Sequence, residues 1–233
     1  MSWAPAGARF ARHCRRSSVL EFLRANVRQS TPRAPTTLPL FPLKTVLFPG
    51  GLLPLKIFEQ RYIEMTKACL KDDRPFGVCL LKDGPEVMGS RSVASSVDFA
   101  TIGTLARITD CDVPQLGILH VKTEGGARFK VHSHAVAELG LVVGQVTPLA
   151  PEPAMPLPEA HQPLAALLQL LMDRVGRENF AATPAPMDAS WVGYRLAEML
   201  PLPLAIKQSM LEINDCEVRL TVIAQFLKEQ QVL

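Results

Sequence analysis

The fold is decided by the stretch Leu38-Pro39-Leu40-Phe41-Pro42-Leu43, Leu47-Phe48-Pro49-Gly50 and Pro54-Leu55-Lys56-Ile57-Phe58-Glu59-Gln60-Arg61-Tyr62. Its four prolines lack an amide donor, which argues against a regular central strand. Gly50 and Gly51 predict a turn in which a side chain would clash. Because Phe41, Phe48 and Phe58 each bring roughly 150–250 Å² of apolar surface, we expect all three to enter a core.

A helix is predicted to follow at the end of this stretch. Apolar side chains recur there at i, i+4, i+7 and i+11 and form one stripe; they are Phe58, Tyr62, Met65 and Cys69. Glu59 falls near the start of the helix, where the helix dipole favours an acid. We expect Arg61 to pair with a local partner rather than with a ligand.

Residues 38–149 have the pattern of short strands separated by glycine and proline. The predicted strands are residues 52–57, 76–81, 101–108, 117–123, 127–134 and 140–148. Glu124-Gly125-Gly126 predicts a hairpin turn, because glycine tolerates positive φ. Several short strands with one inserted helix are typical of a closed or nearly closed β-barrel.

The last third of the sequence changes to a helical pattern. Residues 148–163 contain six prolines and predict a semi-rigid connector. Predicted helices then cover residues 164–175, 188–200 and 204–213, and a fourth starts at residue 214. Asp188 is the expected N-cap of the second, and Asn214 with Glu217 forms a capping-box-like pair for the last. The apolar face of the last helix is predicted to include Val218, Val222 and Phe226.

Taken together, these motifs resemble the amino-terminal substrate-binding domain of Lon proteases, which opens with LPLFPL, an FPG turn and PL-x-[IV]-FE-x-RY. Further matching runs are FGVCLL at 76–81, IGTLARI at 102–108, GARFKV at 126–131 and LPLPL at 200–204, followed by Lys207-Gln208 and Leu211-Glu212. The family-motif positions that we expect to specify the fold are Phe41, Pro42, Phe48, Pro49, Gly50, Phe58, Glu59, Arg61 and Tyr62. The resemblance covers residues 37–230.

The resemblance implies an α+β fold, with a PUA-like β-barrel followed by a small α-helical bundle. The expected organisation is a basic, disordered extension over residues 1–36, the barrel over 37–150 and the helical subdomain over 158–232. In Lon proteases the domain helps to recognise unfolded or degron-bearing proteins. The resemblance therefore implies polypeptide substrates or partner proteins.

The amino-terminal residues 1–33 hold seven arginines and one acid. Such a composition fits a mitochondrial transit peptide. It also fits a disordered basic extension, or a start assigned too early, in front of a bacterial cytoplasmic domain. We favour the second interpretation, because Pro5 and Gly7 interrupt the early amphipathic pattern. A cytoplasmic bacterial protein is the expectation, and a mitochondrial one is the alternative.

The charge distribution argues against nucleic acid as the partner. The formal charge is +3, but residues 34–233 carry 18 basic and 21 acidic residues. A polyanion-binding domain needs its positive charge on the folded surface. RNA binding by a PUA-like module is the alternative hypothesis, supported only by fold analogy. No apolar stretch reaches the roughly 18 residues of a membrane span, so we expect no membrane contact.

The sequence nominates no catalytic, cofactor-binding or metal-binding residues. It has neither a G-x-x-x-x-G-K-[ST] loop nor a G-x-S-x-G elbow, and the resemblance includes neither the ATPase nor the Ser–Lys protease domain of Lon. The five cysteines form no C-x-x-C pair, and we expect most to be small buried residues in a reducing compartment. His132 and His134 are expected on one strand face, but no third zinc ligand accompanies them. We predict a non-catalytic module without cofactor or metal.

Two residue pairs are candidates for contact with a polypeptide. Leu52 and Leu53 follow the glycine turn and belong either to a core or to a groove for extended apolar segments. Trp191 and Tyr194 lie three apart on a predicted helix and form either helix core, which we favour, or an exposed aromatic anchor. Binding of unfolded segments would need an accessible apolar patch larger than a few hundred Å². The function predicted is ATP-independent binding of unfolded or apolar polypeptide segments in proteostasis.

Overall fold

The computed structural model describes residues 34–83, 97–181 and 185–231. Within these ranges the chain forms seven β-strands and five α-helices. The strands are β1 (Thr36–Leu43), β2 (Leu52–Ile57), β3 (Phe76–Asp83), β4 (Asp98–Phe99), β5 (Ile102–Gln115), β6 (Ile118–Val136) and β7 (Val142–Pro148). The helices are α1 (Gln60–Asp72), α2 (Gln162–Val175), α3 (Ala189–Met199), α4 (Leu204–Glu212) and α5 (Cys216–Glu229). Strands followed by helices confirm the predicted α+β class; the predicted extension over residues 1–36 falls almost entirely outside the described residues.

The strand β1 closes the barrel. The sheet order β1-β7-β6-β5-β3 returns to its start, because β1 also pairs in parallel with β3. The first half of β1 pairs with β7, the second half with β3, and Leu40 with both. The expectation that prolines exclude a central strand is therefore wrong for Pro39 and Pro42, which both lie in β1. Each pairs with one neighbouring strand only, so its missing amide donor does not interrupt a second ladder.

The strands β5 and β6 form one long hairpin whose turn lies at Gly117, with a φ of 84°. The predicted turn at residues 124–126 is wrong, because these residues lie inside β6, where Glu124 and Gly125 pair with neighbouring strands. Glycine is required at Gly125 for a different reason. The turn at residues 48–50, which we call the FPG turn, lies directly against it: a Cβ on Gly125 would stand 2.2 Å from the carbonyl oxygen of Phe48. Gly50 donates its amide to the Gly125 oxygen at 2.7 Å.

Of the three phenylalanines expected in a core, two are there. Phe41 and Phe48 are buried, and the ring of Phe41 stacks on Tyr62 of α1 with a centroid distance of 3.7 Å. The expectation is wrong for Phe58, which is 51% exposed. Successive side chains of a strand point to opposite faces. Because Ile57 at the end of β2 points inward, Phe58 points outward before α1 begins.

The first turn of α1 confirms the local pairing expected of Arg61. Its guanidinium lies 2.8 Å from the carboxylate of Glu59, and it donates a hydrogen bond to the carbonyl of Gly140 at 3.2 Å. Glu59 is the N-cap residue, but its side chain makes no capping hydrogen bond. Arg61 therefore fixes α1 to the β6–β7 connection.

The helices share a core with the barrel through Phe48, which packs in the same cluster as Leu164, Leu196 and Ile223. None of the helices in the described ranges is long and apolar enough to cross a membrane.

The predicted N-cap of α3 is confirmed, because the Asp188 carboxylate accepts a hydrogen bond from the Trp191 amide at 2.7 Å. The predicted cap of α5 is wrong: Asp215, not Asn214, accepts hydrogen bonds from the first-turn amides. The side chain of Asn214 instead accepts a hydrogen bond from Arg128 of β6. A long-range partner thus displaces the local cap by one residue.

The predicted apolar face of α5 is wrong at Val218 and Val222, which are 47% and 40% exposed, whereas Phe226 packs against the helical core. The buried face includes Leu220, Ile223 and Arg219. Arg219 turns inward and binds Glu152 and the carbonyl oxygen of Met210, both outside its own helix.

Candidate functional site

A buried ionic cluster joins the connector to the barrel and to the helices. Glu152 of the connector accepts hydrogen bonds from Ser190 at 2.7 Å, from the Tyr194 hydroxyl at 2.6 Å and from two nitrogens of Arg219. Burial would raise the pKa of Glu152, but hydrogen bonds from Arg219, Tyr194 and Ser190 outweigh it and hold the pKa below its ordinary value. The guanidinium of Arg219 also lies over the Tyr194 ring, 4.0 Å from its centroid. Glu152 is thus fixed as a carboxylate.

The second arginine of this cluster, Arg128, comes from the barrel. It donates to the carbonyl oxygens of Leu211 at 2.8 Å and Ile213 at 2.9 Å, and to the side chain of Asn214. Its nearest carboxylate oxygen, on Glu152, lies at 3.7 Å. Arg128 therefore binds the α4–α5 connection mainly through neutral acceptors.

A third buried arginine holds the FPG turn against α3. Arg195 is 1% exposed and donates to the carbonyl oxygens of Gly50 and Pro49, the latter at 3.0 Å. Glu198, one turn later, lies 3.1 Å from the same guanidinium. Burial raises the pKa of Glu198 above its ordinary value, and the charges of Arg195 and Lys207 counter only part of this effect. The FPG turn is thereby held by Gly125 on one side and Arg195 on the other.

Next to these buried ions lies a groove with a volume of about 460 Å³, which we call the junction groove. It is lined by Pro49 and Gly50 of the FPG turn, residues 126–128 of β6, connector residues 149–152, and Asp188, Ser190, Trp191 and Tyr194 at the start of α3. The walls are mainly apolar, and the ions lie at Arg128, Glu152 and Asp188. Concave and mainly apolar surfaces of this size are typical of ligand sites.

The structure brings some of the predicted site residues together. Trp191 is partly buried and lines the junction groove. Tyr194 also lines it, but its side chain is largely buried in the helix core and its hydroxyl is bound to Glu152. Leu52 and Leu53 are partly exposed on β2, do not line the groove, and Leu53 packs against the barrel core.

A second concavity of about 580 Å³ lies beside α1. It is larger than the junction groove, and it is lined by the start of β1, by Met65, Ala68 and Cys69 of α1, and by Phe129 of the barrel. None of the predicted binding residues lines it. We place the candidate site at the junction groove, because ligand sites form preferentially where two parts of a fold meet.

The remaining sequence candidates are dispersed. His132 lies 2.9 Å from the Thr147 hydroxyl, and the His134 ring packs on Phe99. Among the described residues, no group of three or more His, Cys, Asp or Glu side chains is arranged to hold a metal ion. Cys69, Cys79 and Cys216 are buried free thiols, as expected, and burial raises the pKa of Cys79 to about 12.

Sequence reasoning missed the four ions that build the groove: Arg128, Glu152, Arg195 and Arg219. A signal existed for two of them. Arg195 and Arg219 lie on the apolar stripes of their helices, beside Leu196 and Leu220, and a charge in such a stripe indicates a buried partner. Glu152 stands between two prolines of the connector and carried no such signal.

The chain is similar to known proteins over most of its length. The family profile described as the ATP-dependent protease La (LON) substrate-binding domain matches residues 37–229. Lon protease 2 of Myxococcus xanthus and the Lon protease of Cytophaga hutchinsonii are each 26% identical, over 204 and 213 residues. These alignments cover 84% and 85% of this chain but 24% and 25% of the relatives. The chain thus spans about a quarter of their length.

Solved structures agree with this match. The crystal structure of a Lon N-terminal domain protein from Xanthomonas campestris is 35% identical, with a TM-score of 0.66, and the alignment covers 82% of this chain and 98% of that one. The N-terminal domain of a Mycobacterium avium complex Lon protease is 18% identical, with a TM-score of 0.56, over 83% of this chain and 98% of its own. The second likeness supports the fold alone.

Proposed function

Because this chain belongs to the Lon substrate-binding domain family, we propose that it is a polypeptide-binding module that holds extended apolar segments in the junction groove. The observation that carries the proposal is the groove itself, which is lined by both the family-motif FPG turn and Trp191. Its volume of about 460 Å³ is within the range of about 300–1,000 Å³ typical of ligand sites. Affinity would come from apolar burial against prolines, Leu149 and the Trp191 ring.

Two features make the groove suitable for binding without large rearrangement. Arg195 binds the carbonyl oxygens of the FPG turn, and Glu152 fixes the side chains of Tyr194 and Ser190. Side chains held in one arrangement lose little entropy when a segment binds. Leu52 and Leu53 follow the FPG turn on β2, and we propose them as outer contacts for the same segment.

The proposal is a non-catalytic, ATP-independent module. It is supported by the comparisons, which match the substrate-binding domain of Lon and not its catalytic domains. The described cysteines are free thiols, which fits a reducing compartment. We therefore place the function in bacterial cytoplasmic proteostasis, with a mitochondrial location as the alternative.

The test is fluorescence anisotropy with a short labelled peptide, acetylated and amidated at its ends, that contains Leu, Phe, Gly and a central Asn and carries no charge. We expect saturable binding to the wild-type protein. Ala127→Trp places a large ring in the groove from an exposed position of β6. This substitution should weaken binding by about tenfold or more, which corresponds to about 1.4 kcal/mol.

The matched control is Ala135→Trp, which adds the same ring at an exposed position of the same strand that does not line the groove. It should leave the affinity unchanged, and both variants should retain the wild-type thermal transition. Equal affinity of the Ala127→Trp and Ala135→Trp proteins would place the binding surface elsewhere. Absence of binding to the wild-type protein would refute the proposed function.

A further inference from the structure

Beneath the junction groove, buried guanidinium groups outnumber buried carboxylates. Arg128 and Arg219 are 4% and 0% exposed, and the buried carboxylate between them belongs to Glu152, which is 4% exposed. Both oxygens of Glu152 are occupied by hydrogen bonds from Arg219, Tyr194 and Ser190. The cluster thus holds two guanidinium groups for one carboxylate.

The two arginines differ in their relation to the groove. Arg128 is among the residues that line it, whereas Arg219, which is bound to Glu152, is not. The hydrogen bonds from Arg128 go to carbonyl oxygens and an amide oxygen, which are neutral. A buried charge without its own counterion is costly, so a nearby anion stabilises it.

The other charged groups around the groove do not neutralise the excess positive charge of the buried cluster. Asp188 lines the rim and is half-buried, with its carboxylate bound to the Trp191 amide as the N-cap of α3. Behind the FPG turn, Arg195 and Glu198 lie 3.1 Å apart and neutralise each other. The positive end of the α3 dipole also faces this region.

We propose that the junction groove selects apolar polypeptide segments that carry a carboxylate, and that Arg128 on the groove floor is the residue that attracts it. The proposal rests on the function proposed above and narrows its substrate class to apolar segments with an embedded acidic residue. Charge attraction inside a partly desolvated groove is much stronger than in water. An isosteric amide gains none of it.

The experiment compares two peptides that differ only in one side-chain group, an amide in one and a carboxylate in the other. The first is the uncharged, end-blocked apolar peptide with a central Asn, and the second has Asp at that position. The Asp peptide should bind the wild-type protein about tenfold more tightly or better, as expected for a charge-assisted hydrogen bond. Ala127→Trp should abolish this difference, whereas Ala135→Trp should preserve it.

A protein variant tests the same charge balance without disturbing the buried cluster. Asp188→Asn keeps a capping side chain of equal quality and removes the negative charge at the rim. It should raise the ratio of Asp-peptide affinity to Asn-peptide affinity severalfold over that of the wild-type protein. If Asp188→Asn leaves this ratio unchanged or lowers it, the charge assignment is wrong.

The outcomes separate the two proposals. Equal binding of both peptides in the groove would overturn the carboxylate preference and leave the polypeptide-binding function intact. A preference for Asp that persists in Ala127→Trp would place the anion site outside the groove and overturn the inference as well. Failure of both peptides to bind would refute the underlying function instead.

Discussion

The barrel interior is apolar and the barrel–helix junction is ionic, so different forces hold these two regions. The interior around Leu40 and Phe129 is apolar, and its backbone groups are satisfied by the closed ring of strands. The junction contains Glu152, Arg128 and Arg219, none more than 4% exposed. Apolar burial sets how stable a region is, whereas a buried ion cluster allows only the arrangement that pairs its charges. We infer that the barrel supplies stability and that the junction sets the geometry of the groove.

The largest expected effect breaks the junction. Glu152→Ala leaves two buried guanidinium groups without their carboxylate, and removal of one partner from a buried ion pair costs about 3–5 kcal/mol. The free energy of unfolding, measured in urea, should fall by that amount. A loss below about 1 kcal/mol would mean that water reaches the arginines and that the junction is not a closed ionic cluster.

The next largest effect on the free energy of unfolding is expected from an apolar substitution in the barrel core. Leu40 is 0% exposed and pairs with both β3 and β7. Leu40→Ala should lower the free energy of unfolding by roughly 2–5 kcal/mol, through lost transfer energy and a cavity. Unlike the junction variant, it should leave the pH dependence of stability unchanged. A changed pH profile would show that the two regions are not independent.

The smallest expected effect is on the pH dependence of stability, which should distinguish the ionic junction from the apolar barrel. The pKa of Glu152 is lowered in the folded protein, so its carboxylate stabilises the fold above its ordinary pKa of 4.5, and this contribution is lost as the pH falls through the lowered value. The wild-type protein should therefore lose stability in acid more steeply than Glu152→Gln, as measured by urea unfolding at successive pH values below 4.5. Parallel profiles would contradict the assignment of the acid sensitivity to Glu152.

Glu198 provides an internal check with the opposite sign. Its pKa is raised by burial, so its effect on stability is unfavourable above the ordinary pKa of 4.5 and grows as the pH rises through the raised value. Glu198→Gln should remove this loss and flatten the profile on the neutral side. If Glu198→Gln instead steepens the loss of stability with rising pH, the predicted sign of the Glu198 contribution is wrong.

The elements of the fold were predictable where the signal was local. Apolar periodicity, capping chemistry and the positions of proline and glycine predicted four features correctly. These are strand β2, helix α1 after it, the cap at Asp188 and the order of strands before helices. The errors arose where a distant residue decided the local structure. Gly125 was predicted as a turn because its contact, the carbonyl oxygen of Phe48, lies far away in the sequence. Asn214 was predicted as a cap, but Arg128 of the barrel binds its side chain.

For the candidate site, the residue types were visible and their partners were not. The sequence nominated Trp191 as a contact residue and the FPG turn as a fold-specifying motif, and the structure brings both to one groove. It did not nominate Glu152 or the arginines, since an exposed and a buried charge look the same in a sequence. Burial of Arg195 and Arg219 follows only once the helices are docked on the barrel.

By itself, the sequence determined the family, the α+β class and the order of the elements, because apolar period and turn chemistry act between neighbours along the chain. Only the tertiary structure decided how the barrel closes through β1, why Gly125 lacks a side chain and which charges meet beneath the groove. Arg219 and Glu152 are 67 residues apart. No local pattern encodes such a pair, because its energy exists only after folding has removed both groups from water.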